Sequence, residues 1–304
     1  MPAEKLACFL ADMMVYGIIF SQRPLKSAEN TKQAGQSKNM SISGKNMKHR
    51  DLSIGFFDSG VGGLSVLKHA REQLPKENFI FYGDNAHAPD GERREEEIRA
   101  LSFACCDQLF ERGVKALLVA CNTATGAAIH AMRERYQIPV VSIEPAIKPA
   151  SESQEEGKIL VLATPFTIRG ARYHRLVERV GCEDRLIQIP CKGLADLVEK
   201  GEFESQEIAE YLQKKFERFP AQPISGIVIG CTHYSFIAPL IQKVAKQRFS
   251  GSCTLYDGRY GTVRQLRRVL EQDQMLSEKG NASCEILSSG GAESVALMRR
   301  ILEA

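Results

Sequence analysis

From residue 52 onward, short apolar runs alternate with amphipathic stretches of helical length, and near residue 158 the alternation starts again. Apolar runs of about four to eight residues recurring between helices read as strands of parallel sheets, covered on both faces by the connecting helices. The first series predicts strands at 53–57, 78–82, 116–120 and 139–143, with helices after the turn 59–63, over 92–112 and over 125–136. The second predicts strands at 158–163, 186–189 and 226–229, with helices over 168–180, 206–218 and 235–247. Cys121 follows Asp58 at nearly the interval at which Cys231 follows Thr164, and all four stand where a strand is expected to end. Both cysteines come after an apolar strand and a small residue, in LLVACNTA and IVIGCTHY, and both precede a helix. A weak internal duplication of this kind implies an α/β chain of two similar parallel-sheet domains related by pseudo-two-fold symmetry. Open α/β sheets bind ligands at the carboxyl ends of their strands, so the active site is expected in the cleft between the two. The expected division is a first domain of 52–148 completed by 259–304, with Asp58 and Cys121, and a second of 149–258, with Thr164 and Cys231.

Residues 1–51 differ from the rest. The stretch 6–20 is apolar apart from Asp12, is too short to span a bilayer, and makes a poor signal peptide. Residues 21–50 are rich in Ser, Asn, Lys and Gln without apolar periodicity, which predicts a disordered N-terminal extension over 1–51. Met40 and Met47 stand just before the first strand, so the expectation is a late translational start or a dispensable tail. Hydrophobic residues at 43% and charged residues at 25% are ordinary for a soluble domain. A net charge of +3, with both signs interspersed, gives no electrostatic footprint for nucleic acid. The nine cysteines are odd in number, include no CxxC pair and lie partly inside apolar runs, which implies a reduced, cytoplasmic chain with mostly inert thiols. Cys105 shares a helical face with Ile98, Leu101 and Leu109 and is expected in the core. None of the six histidines pairs with a cysteine at metal-ligand spacing, so no metal site is expected.

Position separates Cys121 and Cys231 from the other seven. A thiol between a strand end and a helix N-terminus sits among free backbone N–H groups, which stabilise thiolate. One such cysteine reads more readily as a small buried residue. Two at equivalent places in two halves, flanked by hydroxyl, amide and imidazole groups, point to chemistry. Inverting a carbon that bears an acidic proton needs a base on one face and an acid on the other, and a thiol serves as either. Asp58 and Ser59 open the run DSGVGG, whose glycines let backbone approach a ligand and whose following helix start can hold a carboxylate. The same run also reads as a plain strand–turn–helix linker. Asp58 hinders an anion unless it binds the substrate ammonium or steers the nearby thiol. His233, two residues after Cys231, can donate a hydrogen bond or a proton beside that thiol. Thr164, Thr167, Asn122, Thr123 and Thr232 can bind a carboxylate or merely cap helices. Glu199 taken alone reads as a solvated acid on an amphipathic helix.

DSGVGG, YGD followed by Pro-x-Gly, ACNTAT, the A-T-x-x-T run of VLATPFTI, and GCTHY stand in the order found in glutamate racemases. Over about 52–302 the chain resembles that family, the cofactor-independent two-cysteine type of aspartate/glutamate racemase, and ACNTAT is closer to the glutamate than to the aspartate enzymes. The resemblance implies interconversion of L- and D-glutamate without cofactor, with Cys121 and Cys231 on opposite faces of the substrate Cα. It implies that Asp58 assists at Cys121 and His233 at Cys231, with Glu199 as an acidic helper. Ser59, Pro89, Gly91, Asn122, Thr123, Thr164, Thr167 and Thr232 then position the amino acid, with Asp90 in the same turn. It further implies D-glutamate supply for peptidoglycan synthesis and cell-wall biogenesis in a bacterial cytoplasm. The partner expected is a small amino acid, with no membrane and no direct nucleic acid, and a homodimer is left open. The family usually has Pro-Tyr-Gly where this chain has Pro89-Asp90-Gly91, and Tyr256-Asp257-Gly258 matches only loosely. A charge at Asp90 weakens binding of an anionic substrate unless the side chain points outward. Two rival readings are a racemase for aspartate or another amino acid, and a regulatory binding protein, for instance on DNA gyrase. Both thiols standing together with His233 favour catalysis.

Overall fold

The computed structural model describes residues 49–304; the expectations for 1–48, including Cys8 and a start at Met40 or Met47, lie outside the described residues. Residues 49–51, expected within the extension, form a 3-10 turn, and the Arg50 carbonyl accepts a bond from Lys115 Nζ. The first half contains β1 (Ile54–Asp58), α1 (Leu64–Gln73), β2 (Phe79–Gly83), α2 (Glu95–Glu111), β3 (Ala116–Val119), α3 (Asn122–Arg135), β4 (Val140–Ser142) and α4 (Ile147–Ser151). Next come β5 (Lys158–Ala163), α5 (Pro165–Arg169), α6 (Ala171–Val180), β6 (Leu186–Pro190), α7 (Leu194–Glu199), α8 (Gln206–Phe216), β7 (Ile224–Gly230), α9 (Ala238–Arg248) and β8 (Thr254–Asp257). The remainder is α10 (Gly258–Gln272), β9 (Cys284–Ser288) and α11 (Gly291–Glu303).

Every named strand pairing is parallel, in two sheets with the orders β4-β3-β1-β2-β9 and β6-β5-β7-β8. Read backwards, the second is β8-β7-β5-β6, which matches β4-β3-β1-β2 strand for strand. The sheets therefore repeat the duplication seen in the sequence, and each is an α/β layer with helices on both faces. Phe56 packs with Ile54, Leu64 and Leu67 on one face of β1, while Phe57 packs with Leu117, Val119 and Ile129 on the other. The second sheet divides likewise, Leu160, Leu162 and Ile229 facing one cluster and Ile159, Val161 and Val228 the other. Full burial of each such side chain is worth about 1.5–3 kcal/mol, which fixes the register against slippage.

Some elements depart from the expected ones. The helix expected over 168–180 breaks at Gly170, whose extended backbone ends α5 and begins α6. The helix expected from residue 92 starts at Glu95, because Asp90–Glu92 form a separate 3-10 turn after the cis Ala88–Pro89 peptide. Strands β8 and β9 were not expected. Both lie at sheet edges and are mostly half-exposed, so they lack the apolar run that marks a central strand. Strand β9 pairs with β2, and α10 and α11 place Val263, Leu266, Met298 and Ile301 in the first sheet's core. Cys105 is buried in the core, as expected. Among the described residues no helix is long and apolar enough to cross a membrane.

Candidate active site

The parallel registers align the strand ends. Phe57 is level with Val119, and Ala163 with Gly230, so Asp58 and Cys121 leave adjacent strands of one sheet and Thr164 and Cys231 adjacent strands of the other. Cys121 caps α3: its Sγ accepts from the Ala124 N–H at 3.4 Å and lies 3.2 Å from Ser59 Oγ. Cys231 precedes the 3-10 turn Thr232–Ser235, and its Sγ lies 3.7 Å from His233 Nδ1. Both cysteines are buried and free.

Two bridges hold these strand ends together. Thr232 Oγ1 donates to Asp58 Oδ2 at 3.0 Å, and Asp58 also accepts from the Gly60 N–H at 2.9 Å. Glu199, at the end of α7, is 2.6 Å from His233 Nε2 and accepts from the Val61 N–H at 3.0 Å and from Asn85 Nδ2 at 2.6 Å. The acid that alone reads as a surface group is thus a partly buried clasp between the DSGVGG turn and the CTHY turn. Asn85 escaped the sequence reading; its one visible signal is its place directly after the YGD strand end. The turn glycines make the contact sterically possible. A Cβ on Gly60 would lie 2.5 Å from Glu199 Oε2, and one on Gly62 would lie 2.5 Å from Thr232 Oγ1 and 2.7 Å from the His233 backbone nitrogen.

A hydroxyl chain crosses from the first half to the second. Thr123 Oγ1 meets Thr164 Oγ1 at 3.0 Å, Thr164 Oγ1 donates to Thr167 Oγ1 at 3.0 Å, and Thr164 also caps α5 through the Thr167 N–H. Thr164 therefore caps α5 and at the same time joins Thr123 to Thr167. Asn122 is buried, and its Oδ1 has no hydrogen-bond partner. Pro89 leads into the turn Asp90–Glu92, where a Cβ on Gly91 would lie 3.0 Å from the Thr164 side chain. Asp90 points inward rather than outward, at 2% exposed.

Burial dominates the electrostatics. It raises Asp58 from 3.8 to about 6, against the His233 charge and the bonds from Gly60 and Thr232. It also raises Cys121 well above the usual thiol range, helped by Asp58 and Asp90 and opposed by Ala124 N–H and Ser59. The thiolate expected at this helix start is therefore not the favoured form; desolvation outweighs the bonds from Ala124 N–H and Ser59. Asp58 acts on Cys121 through its charge, while its hydrogen bonds go to Gly60 and Thr232. Burial opposes protonation of His233, yet bonding to Cys231 and Glu199 raises it well above its ordinary value. Burial likewise works against the Glu199 charge, but His233, Val61 N–H and Asn85 lower its pKa. His233 is thus held between the Glu199 carboxylate and the Cys231 sulfur, which favours its protonated form.

The model of the Asp/Glu/hydantoin racemase family matches residues 62–258. A glutamate racemase of Clostridium perfringens is 44% identical over 236 residues, covering 76% of this chain and 89% of that one. Among solved structures, a glutamate racemase isoform from Bacillus anthracis superposes with a TM-score of 0.73 at 28% identity, covering 84% of this chain and 96% of that one. Escherichia coli glutamate racemase, solved with L-glutamate and the activator UDP-MurNAc-Ala, gives a TM-score of 0.71 at 28% identity, covering 83% and 94%. With its two equivalent thiol-bearing strand ends and a match over most of its length, the chain belongs to the Asp/Glu/hydantoin racemase family.

Proposed function

We propose that the protein interconverts L- and D-glutamate, with Cys121 and Cys231 as the acid/base pair and no cofactor in the reaction. The observation that carries this reading is the placement of the two thiols. They end equivalent strands of two sheets whose ends are tied by Thr232 to Asp58 and by Glu199 to Val61 and Asn85. One sulfur, as thiolate, takes the Cα proton, leaving an electron pair that spreads into the α-carboxylate. The opposite thiol gives its proton to the other face, so the substrate inverts and the two sulfurs exchange protonation states. His233, held protonated by Glu199, positions and supplies hydrogen-bonding charge at Cys231; Asp58 faces the substrate ammonium and biases Cys121. Ser59, Asn122, Thr123, Thr164, Thr167 and Thr232 offer hydroxyl and amide groups to the substrate carboxylates, and Pro89 and Gly91 shape the turn that packs on Thr164. On this reading the cell draws D-glutamate for peptidoglycan synthesis from the cytoplasm.

Incubating the purified protein with L-glutamate in D2O tests this reading. Optical rotation should decay to zero while deuterium enters Cα, read by NMR. Exchange into aspartate alone would move the substrate, and silence with both would sink the racemase reading. The clasp gives a second expected outcome. In Gly62→Ala the new Cβ must push Thr232 and the His233 backbone away, and a displacement of about 1 Å near reacting groups costs roughly 100-fold in rate. We expect kcat/KM to fall by about that factor; a value within threefold of the parent would show that the two turns need not approach so closely.

A further inference from the structure

Asp90 lies 2% exposed at the start of the turn Asp90–Glu92, and its buried Oδ1 has no hydrogen-bond partner among the described residues. The turn packs on α5 and on α3, and Gly91, directly after Asp90, lies against Thr164 of the hydroxyl chain Thr123–Thr164–Thr167. Several charged and titratable groups face it. Arg93, on its own segment, brings Nε to 3.6 Å of Oδ1 and is itself about one-third exposed. From the end of β2 and the loop after it come Asp84 and His87, from β1 comes Asp58, and from α2 and the start of α3 come Cys105 and Cys121. Arg93, partly solvated, and His87 thus stand among three buried carboxyl groups, Asp58, Asp84 and Asp90. A buried carboxylate that has one long ion pair and no hydrogen bond at Oδ1, in such company, is relieved by taking up a proton. Burial first, then Asp84, raises Asp90 from 3.8 to about 7, with Arg93 pulling the other way.

We propose that Asp90 is a specificity-determining group for an acidic amino acid: its carboxylic acid form donates the O–H to a substrate carboxylate, and its ionised form repels that carboxylate. The inference rests on the glutamate reading and adds to it a proton linkage. Above neutral pH, binding draws one proton from solvent onto Asp90, so affinity weakens as pH rises. Charge neutralisation also explains how an aspartate can stand inside a site for an anion.

The experiment measures KM for L-glutamate, separately from kcat, between pH 6.5 and 8.5. The unsubstituted protein should show KM rising more than about tenfold over this range, since binding to the acid form alone scales with its fraction. Asp90→Asn keeps an N–H donor without a titrating group, and its KM should change less than about threefold across the range. Asp90→Leu, which has no donor, should show at pH 6.5 a KM near that of the unsubstituted protein at pH 8.5. Calorimetry of D-glutamate binding at pH 8, in buffers of different ionisation enthalpy, should show nearly one proton taken up by the unsubstituted protein. That readout needs no variant to fold. Racemisation with a KM independent of pH, or a pH dependence that survives in Asp90→Asn, would overturn the proposal while leaving glutamate as substrate. Absence of both glutamate turnover and glutamate binding at pH 6.5 would overturn the glutamate reading itself.

Discussion

Cys121→Ser and Cys231→Ser should each lower racemisation of L-glutamate by about 1000-fold, within the range that a positioned acid or base contributes. Serine keeps the size of the side chain but is far less acidic, so it neither takes nor returns the Cα proton near neutral pH. The two losses should be similar although the surroundings differ. Cys121 rests on Ser59 and the Ala124 N–H, and Cys231 on the charged pair His233–Glu199. Similar losses are the signature of two-sided transfer, because inversion needs a proton moved on each face of one carbon. Polarimetry measures inversion, and NMR in D2O measures Cα exchange through the thiol that remains. Cys284→Ser, at a half-exposed cysteine on edge strand β9, is the control and should racemise within about twofold of the parent. A rate unchanged in both active-site variants would end the two-thiol mechanism.

Lys115→Met should destabilise the fold by about 3–5 kcal/mol, the cost of leaving a buried charge without its partner. Lys115 precedes β3 and is 0% exposed. Its Nζ is 2.5 Å from Glu77 Oε2 and donates to the Met275 carbonyl at 2.8 Å and the Arg50 carbonyl at 2.5 Å. Glu77 Oε1 in turn accepts from the Ser277 N–H at 2.8 Å. One ammonium therefore ties four segments distant in sequence beneath the first sheet: the entry to β1, the turn before β2, the start of β3 and the loop after α10. Thermal unfolding followed by circular dichroism should place the midpoint roughly 10 °C lower, at about 2–4 °C per kcal/mol for a domain of this size. Glu77→Gln combined with Lys115→Met should recover part of the loss, because no uncompensated charge remains. A midpoint within 2 °C of the parent in the single variant would show that the pair contributes no net stability.

Much of the fold was legible because its central strands are apolar on both faces. Ile54 to Phe57 and Ile227 to Ile229 bury consecutive residues, and a continuous apolar run shows in any window. Strands β8 and β9 were not legible for the same reason reversed, since edge strands bury few residues and are specified by their neighbours. The break at Gly170 was hidden because a single glycine inside a helical pattern does not by itself end a helix.

The linear chain determined by itself the duplication, the parallel α/β class and the position of two thiols at equivalent strand ends, because strand and helix periodicities are local properties. It also marked Asp58 and His233, which sit within three residues of a strand terminus or a thiol. Only the tertiary structure decided what those groups touch and which charge they hold. Glu199 becomes a partly buried clasp because α7 packs it against a glycine turn more than a hundred residues earlier, which no local pattern encodes. Burial outweighs the helix-start N–H at Cys121 and favours its thiol, and Asp90 is buried although nothing local in its sequence requires it. Desolvation depends on everything that surrounds a group, so protonation at this site is a property of the folded chain.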